Sequence, residues 1–526
     1  MRSIPVALIW ELLYCGRWML LLGIFGAPAL PIFLLTSLSN EGVLDPTEPG
    51  IMAIQVGLMQ MNIMVFGSTV LAAQRPPTRL ASYPLSTVSL VTWHVAPAMV
   101  LMILQTYFST LLLNVLFDAN WPLWGPSLFA AVAIVAVQSV HWQSDNPLWL
   151  AVGFGTVGAI LGLWFKSRYG ALFSMPQHLW LELTGGEILT LLAFAILAFY
   201  FSILGAARKR RGDAITSLGI LAWLDRLFEP ATEISETFKS AQAAQSWFEW
   251  RTKGWALPAS AIFTMAVGLA SWVIFSRDLK DLVLGAMAAG GLLSGLAIVG
   301  GLITGTMGPQ DGMFEMGHFL ATRPITSSDL ARTILKTTAK SVFTTWTIWA
   351  TVFVMICGIA IAADKMPSFA EMNHFRWWFF PTTLFGPWIV ISIGASCGMT
   401  GRPWIFVTIF SVLIICSLFV SIWARNMLSS DTRVLLAQGL TLVTGSIFVI
   451  GTAWVFVVAW RRQLIRTLEV SLAAGIWFVL SLVVALEWEV FHSDPISVNI
   501  LIIGCLALAA APVAAAPLAI AWNRNR

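Results

Sequence analysis

Long apolar runs separated by short polar segments follow one another along the whole chain. A helical run of about 20 apolar residues is long enough to cross the roughly 30 Å hydrocarbon core of a bilayer. The runs exceed the roughly 4–8 residues of a buried strand, and they lack the alternation of a membrane β-barrel. The pattern predicts an all-α, polytopic transmembrane helical bundle of about fourteen spans, at residues 18–36, 51–73, 88–117, 122–140, 147–165, 186–206, 257–276, 282–306, 341–362, 379–397, 404–423, 434–459, 470–489 and 499–522.

The composition agrees with this class. Hydrophobic residues make up 58% of the chain and charged residues 11%, whereas a soluble domain carries roughly 25% charged residues. The 26 tryptophans also fit, because Trp collects at the two interfaces of a membrane. No two of the five cysteines are spaced as CxxC and the six histidines are dispersed, so we expect neither a disulfide framework nor a metal site.

The Lys and Arg residues are distributed unevenly between the two sides of the predicted bundle. If the N-terminus is cytoplasmic, 22 of the 30 lie on the cytoplasmic side. Cytoplasmic loops are enriched in Lys and Arg, so this orientation is favoured. We therefore expect an integral, multi-pass protein of a bacterial-type inner (cell) membrane with both termini in the cytoplasm. The net charge of +4 is explained by this topology, and we expect no nucleic-acid partner.

Several landmarks recur in the two halves of the chain. Residues 80–86 read LASYPLS and residues 320–326 read LATRPIT, at an offset of 240. A pair of tryptophans eight residues apart precedes the first and the seventh span, and a basic cluster follows the sixth and the twelfth. Such recurrence is typical of internal repeats. It predicts two parallel six-helix repeats plus an extra hairpin, divided as 1–206 (first half), 207–256 (cytoplasmic linker and second elbow helix), 257–466 (second half) and 467–526 (C-terminal transmembrane hairpin).

The loop after the second span of each half contains helix-start signals. Pro324 ends any preceding helix, and Thr326 with Asp329 resembles a capping box in which Asp replaces Glu or Gln. Pro84 and Ser86 form a weaker version of the same pattern. Each loop is predicted to contain a short helix on the cytoplasmic surface between two spans.

The segment LATRPITSSDLARTILKT resembles the coupling loop of ABC transporter permeases of the type 2 export class. In that family an amphipathic elbow helix with a Glu-Trp-Arg-like element precedes the first span, and Glu249-Trp250-Arg251 is similar to it. The resemblance covers about residues 5–466. It implies elbow helices that include Glu11, Trp18, Glu249 and Arg251, and ATPase-coupling loops that include Leu80, Pro84, Ser86, Leu320, Arg323, Pro324, Thr326, Asp329 and Arg332.

This resemblance implies a membrane-spanning permease subunit of an ATP-driven transporter, most simply an exporter. The chain lacks the G-x-x-x-x-G-K-[ST] string that cradles nucleotide phosphates, so we expect it not to be an enzyme and to bind no cofactor. ATP and Mg are expected on a separate ABC ATPase subunit that docks in trans on the cytoplasmic coupling loops. Lipids, peptides, drugs and ions all remain open as the transported substrate.

Other function classes compete with the interpretation of the chain as a permease subunit. A secondary transporter with parallel repeats is favoured by buried charges near the middle of the membrane, and these are scarce in the predicted spans. An intramembrane transferase enzyme requires acids, His or Arg clustered at one face. A permease-like assembly subunit that does not transport is a third possibility.

The outer loop 166–185 is either a gate that uses Glu182 and Glu187 or an ordinary solvated loop.

Overall fold

The described part of the chain is helical. The computed structural model describes residues 4–38, 49–74, 84–143, 182–212, 240–275, 278–305, 325–367, 379–402, 429–491 and 496–524, together with a few single positions. No strand occurs among these residues. The all-α prediction is therefore confirmed for this part of the chain.

The first compact unit contains the helices before residue 213. Its helices are α1 (Ile4–Leu38), α2 (Pro49–Met61) and α3 (Gly67–Ala73) joined by a π-helical turn (Asn62–Phe66), α4 (Thr87–Phe117), α5 (Trp124–Gln143) and α6 (Gly185–Arg211). The core joins residues from α1, α3, α4, α5 and α6, and Gly205 of α6 lies directly against the backbone of Trp142 in α5. Gln105 of α4 donates a 3.2 Å hydrogen bond to the backbone carbonyl of Ile24 in α1.

The second compact unit contains the later helices, apart from residues 274–275. They are α7 (Ala241–Glu249), a π-helical turn (Trp250–Gly254), α8 (Ala256–Phe275), α9 (Leu279–Thr304), α10 (Ser327–Ala362), α11 (Phe379–Met399), α12 (Ser430–Arg461), α13 (Thr467–Phe491), α14 (Ile496–Ala510) and α15 (Pro512–Arg524). Helices α14 and α15 form one bent pair with an angle of 46°. The bend coincides with Pro512, which has no N–H to continue the α14 hydrogen-bond ladder.

Seven of the described helices are long and apolar enough to cross a membrane, or eight if the bent α14–α15 pair is one span. The chain is therefore a multi-pass membrane protein. The predicted spans 147–165 and 404–423 lie outside the described residues, apart from single positions. The count of about fourteen stays a prediction.

Two predictions about helix boundaries were wrong. The Thr326 cap does not start a separate short helix, because α10 continues unbroken from Ser327 to Ala362 and includes the predicted span 341–362. Ser86 likewise caps the 31-residue helix α4. Glu11 and Trp18 fall within the 35-residue helix α1, so the first elbow is not a separate helix. No proline or glycine separates Thr326 or Ser86 from the span that follows it, and Gly16 lies within α1 without ending that helix.

Glycines allow α9 and α11 to pack with their backbones nearly touching. A methyl group placed at Gly301 of α9, or at Gly305 directly after it, would lie 2.9 Å from the carbonyl oxygen of Ile391 or Ala395, respectively, in α11. A methyl group at Gly398 of α11 would lie 3.0 Å from the Cα of Gly305. Small residues at i and i+4 are the usual means by which helices approach closely inside membranes, where van der Waals packing replaces the hydrophobic effect.

The C-terminal helices are part of the core of the second unit. Trp388 of α11 donates its indole N–H to the carbonyl of Ala509, at 2.8 Å, and Asn523 donates to the carbonyl of Met399, at 3.0 Å. One buried cluster combines residues of α10, α11 and α15, namely Leu330, Ala331, Ile334, Ala395, Met399, Ala516, Ala519 and Ile520. The start of α10 therefore rests on the last helix of the chain. The predicted division into four segments itself stays a prediction.

Candidate functional site: the capped end of α10

The first turn of α10 is closed by its own side chains. The Thr326 hydroxyl accepts the backbone N–H of Asp329 at 3.1 Å and donates to the Asp329 carboxylate at 2.6 Å. This satisfies one of the amide groups that a helix start leaves without a partner. The acidic side chain also lies where the helix dipole favours a negative charge. The predicted cap is confirmed, and Thr326 itself is exposed.

The same end of α10 is fastened to the link between α12 and α13. Ser328 donates a 2.8 Å hydrogen bond to the backbone carbonyl of Leu464. The Arg332 guanidinium lies 2.6 Å from a carboxylate oxygen of Glu469, in the first turn of α13, and 3.6 Å from a carboxylate oxygen of Asp329. We call this set of residues the α10–α13 clamp: Thr326, Ser328, Asp329, Arg332, Leu464 and Glu469.

Glu469 connects two roles within the clamp. One carboxylate oxygen accepts a hydrogen bond from the Arg332 guanidinium, and the other accepts one from the backbone N–H of Arg466 at 2.9 Å. The second contact is half of a capping box that starts α13. The beginnings of two long helices are therefore held by one carboxylate. The Arg332 and Glu469 side chains are 32% and 28% exposed, so water screens the ion pair and its contribution is about 1 kcal/mol or less.

The clamp changes how the predicted coupling residues are arranged. The resemblance places Asp329 and Arg332 in a coupling loop on which a partner ATPase docks, but Arg332 is paired within the chain to Glu469. Sequence reasoning missed Glu469 and Leu464, although a Glu in the first turn, such as Glu469 just before the predicted span 470–489, is a recognisable helix-start signal. The predicted coupling residues Leu80, Leu320, Arg323 and Pro324 lie outside the described residues.

In the first unit, the start of α4 is simpler. Pro84 lies in an exposed bend, and the Ser86 hydroxyl accepts the backbone N–H of Ser89 at 3.2 Å. Arg210, near the end of α6, donates a 3.1 Å hydrogen bond to the hydroxyl of Thr87. Here too, the capped helix start is tied to the end of a later helix.

The second predicted elbow packs against α10. Glu249 is 3% exposed and is held by Gln245 and Lys253, at 2.8 and 2.9 Å. Lys340 of α10 lies 4.0 Å above the Trp250 ring, within the range of a cation–π contact. The buried carboxylate is thus a structural anchor of the elbow.

Arg251 remains on the surface of the elbow. It is exposed and stacks on Trp247, with its guanidinium carbon 5.1 Å from the ring centre. Gly254 closes the π-helical turn, because a side chain there would collide with the Trp250 ring. This turn carries the chain directly from α7 into α8.

The two predicted gate residues lie at the start of α6. One carboxylate oxygen of Glu187 accepts both the backbone N–H and the hydroxyl of Thr184, each at 2.8 Å. Glu187 therefore caps α6, while Glu182 is exposed just before it. Most of the loop 166–185 lies outside the described residues, and the gate stays a prediction.

Within the described ranges, no three His, Cys, Asp or Glu side chains come together in a way that could hold a metal ion. What the clamp offers is mechanical: a charged, capped helix end that is hydrogen-bonded to a second long helix. Comparison of the chain with protein-family models, curated proteins and solved structures finds no match.

Proposed function

We propose that the chain is the membrane-spanning permease subunit of an ABC-type exporter, driven by a separate ATPase that docks at the capped end of α10. One observation carries this proposal: a 36-residue helix whose exposed start is capped and clamped. At 1.5 Å per residue the helix is about 54 Å long, against roughly 30 Å of hydrocarbon. Part of α10 thus extends beyond the membrane as a rigid continuation of a span.

A rigid extension of this kind can transmit force. A push on a flexible loop is absorbed by the loop, whereas a push on a continuous helix moves the membrane segment attached to it. The clamp couples the same displacement to α13 through Glu469. Rigid movements of helices against one another are a common way in which proteins switch between states.

The proposed architecture includes two parallel six-helix repeats, about fourteen spans and a C-terminal hairpin. Ser86 and Thr326 support it, because they cap α4 and α10 at an offset of 240 residues. Each helix start is also hydrogen-bonded near the end of its predicted half. Arg210, near the end of α6, donates to the Thr87 hydroxyl, and Ser328 donates to the carbonyl of Leu464, just after α12. Both helix starts, both termini and the 207–256 linker are proposed to face the cytoplasm, where the 22 of 30 Lys and Arg residues are expected.

The proposal assigns different roles to the coupling residues. Thr326 and Asp329 form the rigid end that the ATPase contacts, and Arg323, three residues earlier in the sequence, contributes a positive charge to the same contact. Arg332 has a positioning role, because its guanidinium holds α10 to Glu469. ATP and Mg are bound by the partner ATPase, and the permease chain hydrolyses nothing itself.

The test is purification of the full-length, tagged chain from its native membranes, followed by ATPase assays and photolabelling with an azido-ATP analogue. We expect a labelled P-loop protein to copurify and the ATPase activity to disappear when that protein is stripped away. The double variant Thr326→Ala, Asp329→Ala should lower copurification several-fold, whereas Ser429→Ala, at the start of α12, should not. Hydrolysis by the stripped chain alone, or unchanged copurification of the double variant, contradicts the proposal.

A further inference from the structure

The membrane part of the second unit contains an apolar groove between α12, α13 and α14. Its volume is about 320 Å³, within the usual range for small-ligand sites. Apart from Thr452, apolar and aromatic side chains line it, including Phe456, Trp460 and Trp477. Both indole N–H groups are bonded elsewhere, Trp460 to Thr467 and Trp477 to the carbonyl of Ile503, so the rings present apolar surface to the groove.

The dimensions of the groove match one leaflet of a bilayer. Along α12 the lining residues extend from Val449 to Trp460, a rise of about 16 Å. Half of the hydrocarbon core is roughly 15 Å thick. The groove therefore begins at the end of the span and reaches about the middle of the membrane, as a single acyl chain does.

Three arginines lie at the Trp460 end of the groove. Arg461 and Arg462 directly follow Trp460, and Arg466 precedes α13; all three are exposed. None of their side chains forms an ion pair with the residues that the structure describes. The nearby carboxylate of Glu469 is already engaged by Arg332 and the Arg466 backbone.

The turn that carries these arginines is rigid. Gln463 adopts the left-handed conformation with φ of 57°, the N–H of Leu464 bonds to the carbonyl of Ala459, and the N–H of Gln463 bonds to that of Trp460. This is the Schellman pattern of a helix end. Ile465 is buried against Phe456, Ala459 and Ala514, which fixes the turn to the bundle.

We propose that this groove is a binding site for one anionic phospholipid. One of its acyl chains lies along α12 between Trp460 and Val449, and its phosphate contacts Arg461, Arg462 and Arg466. Apolar burial holds the tail and the unpaired arginines select the headgroup, as basic pockets between membrane helices do. The site does not depend on the ATPase proposed above.

Native mass spectrometry tests the site on the full-length chain, purified in micelles that contain equal amounts of phosphatidylglycerol and phosphatidylcholine. We expect the parent to retain one phosphatidylglycerol preferentially. The variant Arg461→Gln, Arg462→Gln should lose that preference by roughly tenfold or more, since each surface charge near an anionic lipid strengthens binding several-fold. The matched variant Lys280→Gln, Lys365→Gln removes two charges elsewhere in the unit and should bind as the parent does.

A second pair of variants tests the groove itself. Ala453→Phe fills it and should reduce retention of both lipids, whereas Ala437→Phe, on the same helix outside the groove, should not. Equal retention of the two lipids by the parent overturns the proposal, as does parental selectivity in the double arginine variant. A dimer of the chain that dissociates on Ala453→Phe also overturns it, because a second copy would then occupy the groove.

Discussion

The starts of α4 and α10 lie 240 residues apart and share one local design with different fastenings. Ser86 and Thr326 are the caps, and the next fully buried positions correspond as well: Leu90 with Leu330, and Val91 with Ala331. The polar positions diverge. Ser89 corresponds to Asp329 and Thr92 to Arg332, so the second start has ion-paired side chains at two positions where the first has hydroxyl groups.

The comparison distinguishes the features that any membrane helix start requires from the charged residues that are found at the second start. The cap and the two buried residues recur because any helix that begins at the bundle end must satisfy its amides and pack one face. The Asp329–Arg332–Glu469 set is not needed for that purpose, since α4 forms without it. The added charges are therefore the part of the molecule in which we expect a specific coupling function.

The shared apolar positions should give the largest effects. Leu330→Ala and Leu90→Ala should each destabilise the protein by roughly 2 kcal/mol or more, because each removes a side chain that is no more than 1% exposed and leaves a cavity. Thermal unfolding of the purified protein measures this, with Leu104→Ala on the exposed face of α4 as the control. A large loss at only one of the two positions would argue against a shared design.

Reversal of the clamp charge should give an intermediate effect that is confined to the second start. Arg332→Glu places a third carboxylate near Asp329 and Glu469, and we expect backbone amides of residues 464–469 to exchange about fivefold faster with deuterium, as loss of roughly 1 kcal/mol implies. Thr92→Glu, at the corresponding position of α4, should leave exchange at the end of α6 unchanged. Restoration of slow exchange by Arg332→Glu with Glu469→Arg identifies the ion pair as the cause.

Removal of the caps should give the smallest effect and should rank the two starts. Thr326→Ala removes an accepted and a donated hydrogen bond, whereas Ser86→Ala removes one accepted bond. We expect losses of about 1 kcal/mol or less, larger at Thr326, visible as faster deuterium exchange in the first turn of each helix. A larger effect at Ser86 would show that the hydrogen bond from the Thr326 hydroxyl to the Asp329 carboxylate adds no stability.

Local signals in the sequence located many of these features. Thr326 and Asp329 were identified as a cap from their spacing, and the structure places both hydrogen bonds there. The same reasoning failed at Arg332, whose partner is 137 residues away. A charge on a predicted surface segment carries no information about a carboxylate so distant in sequence. Burial of Glu249 was missed for the same reason, since it depends on how α7 packs against α10.

The sequence by itself determined that this protein is an all-helical, multi-pass membrane protein, because about 20 apolar residues without charges have no other stable arrangement in a bilayer. It also determined where α4 and α10 begin, since capping depends on neighbouring residues. Only the tertiary structure decided that those helices continue unbroken into their spans, that α15 packs against the start of α10, and that Arg332 forms an ion pair with Glu469. Those outcomes depend on which surfaces meet, and the geometry of a fold brings together residues that no local pattern relates.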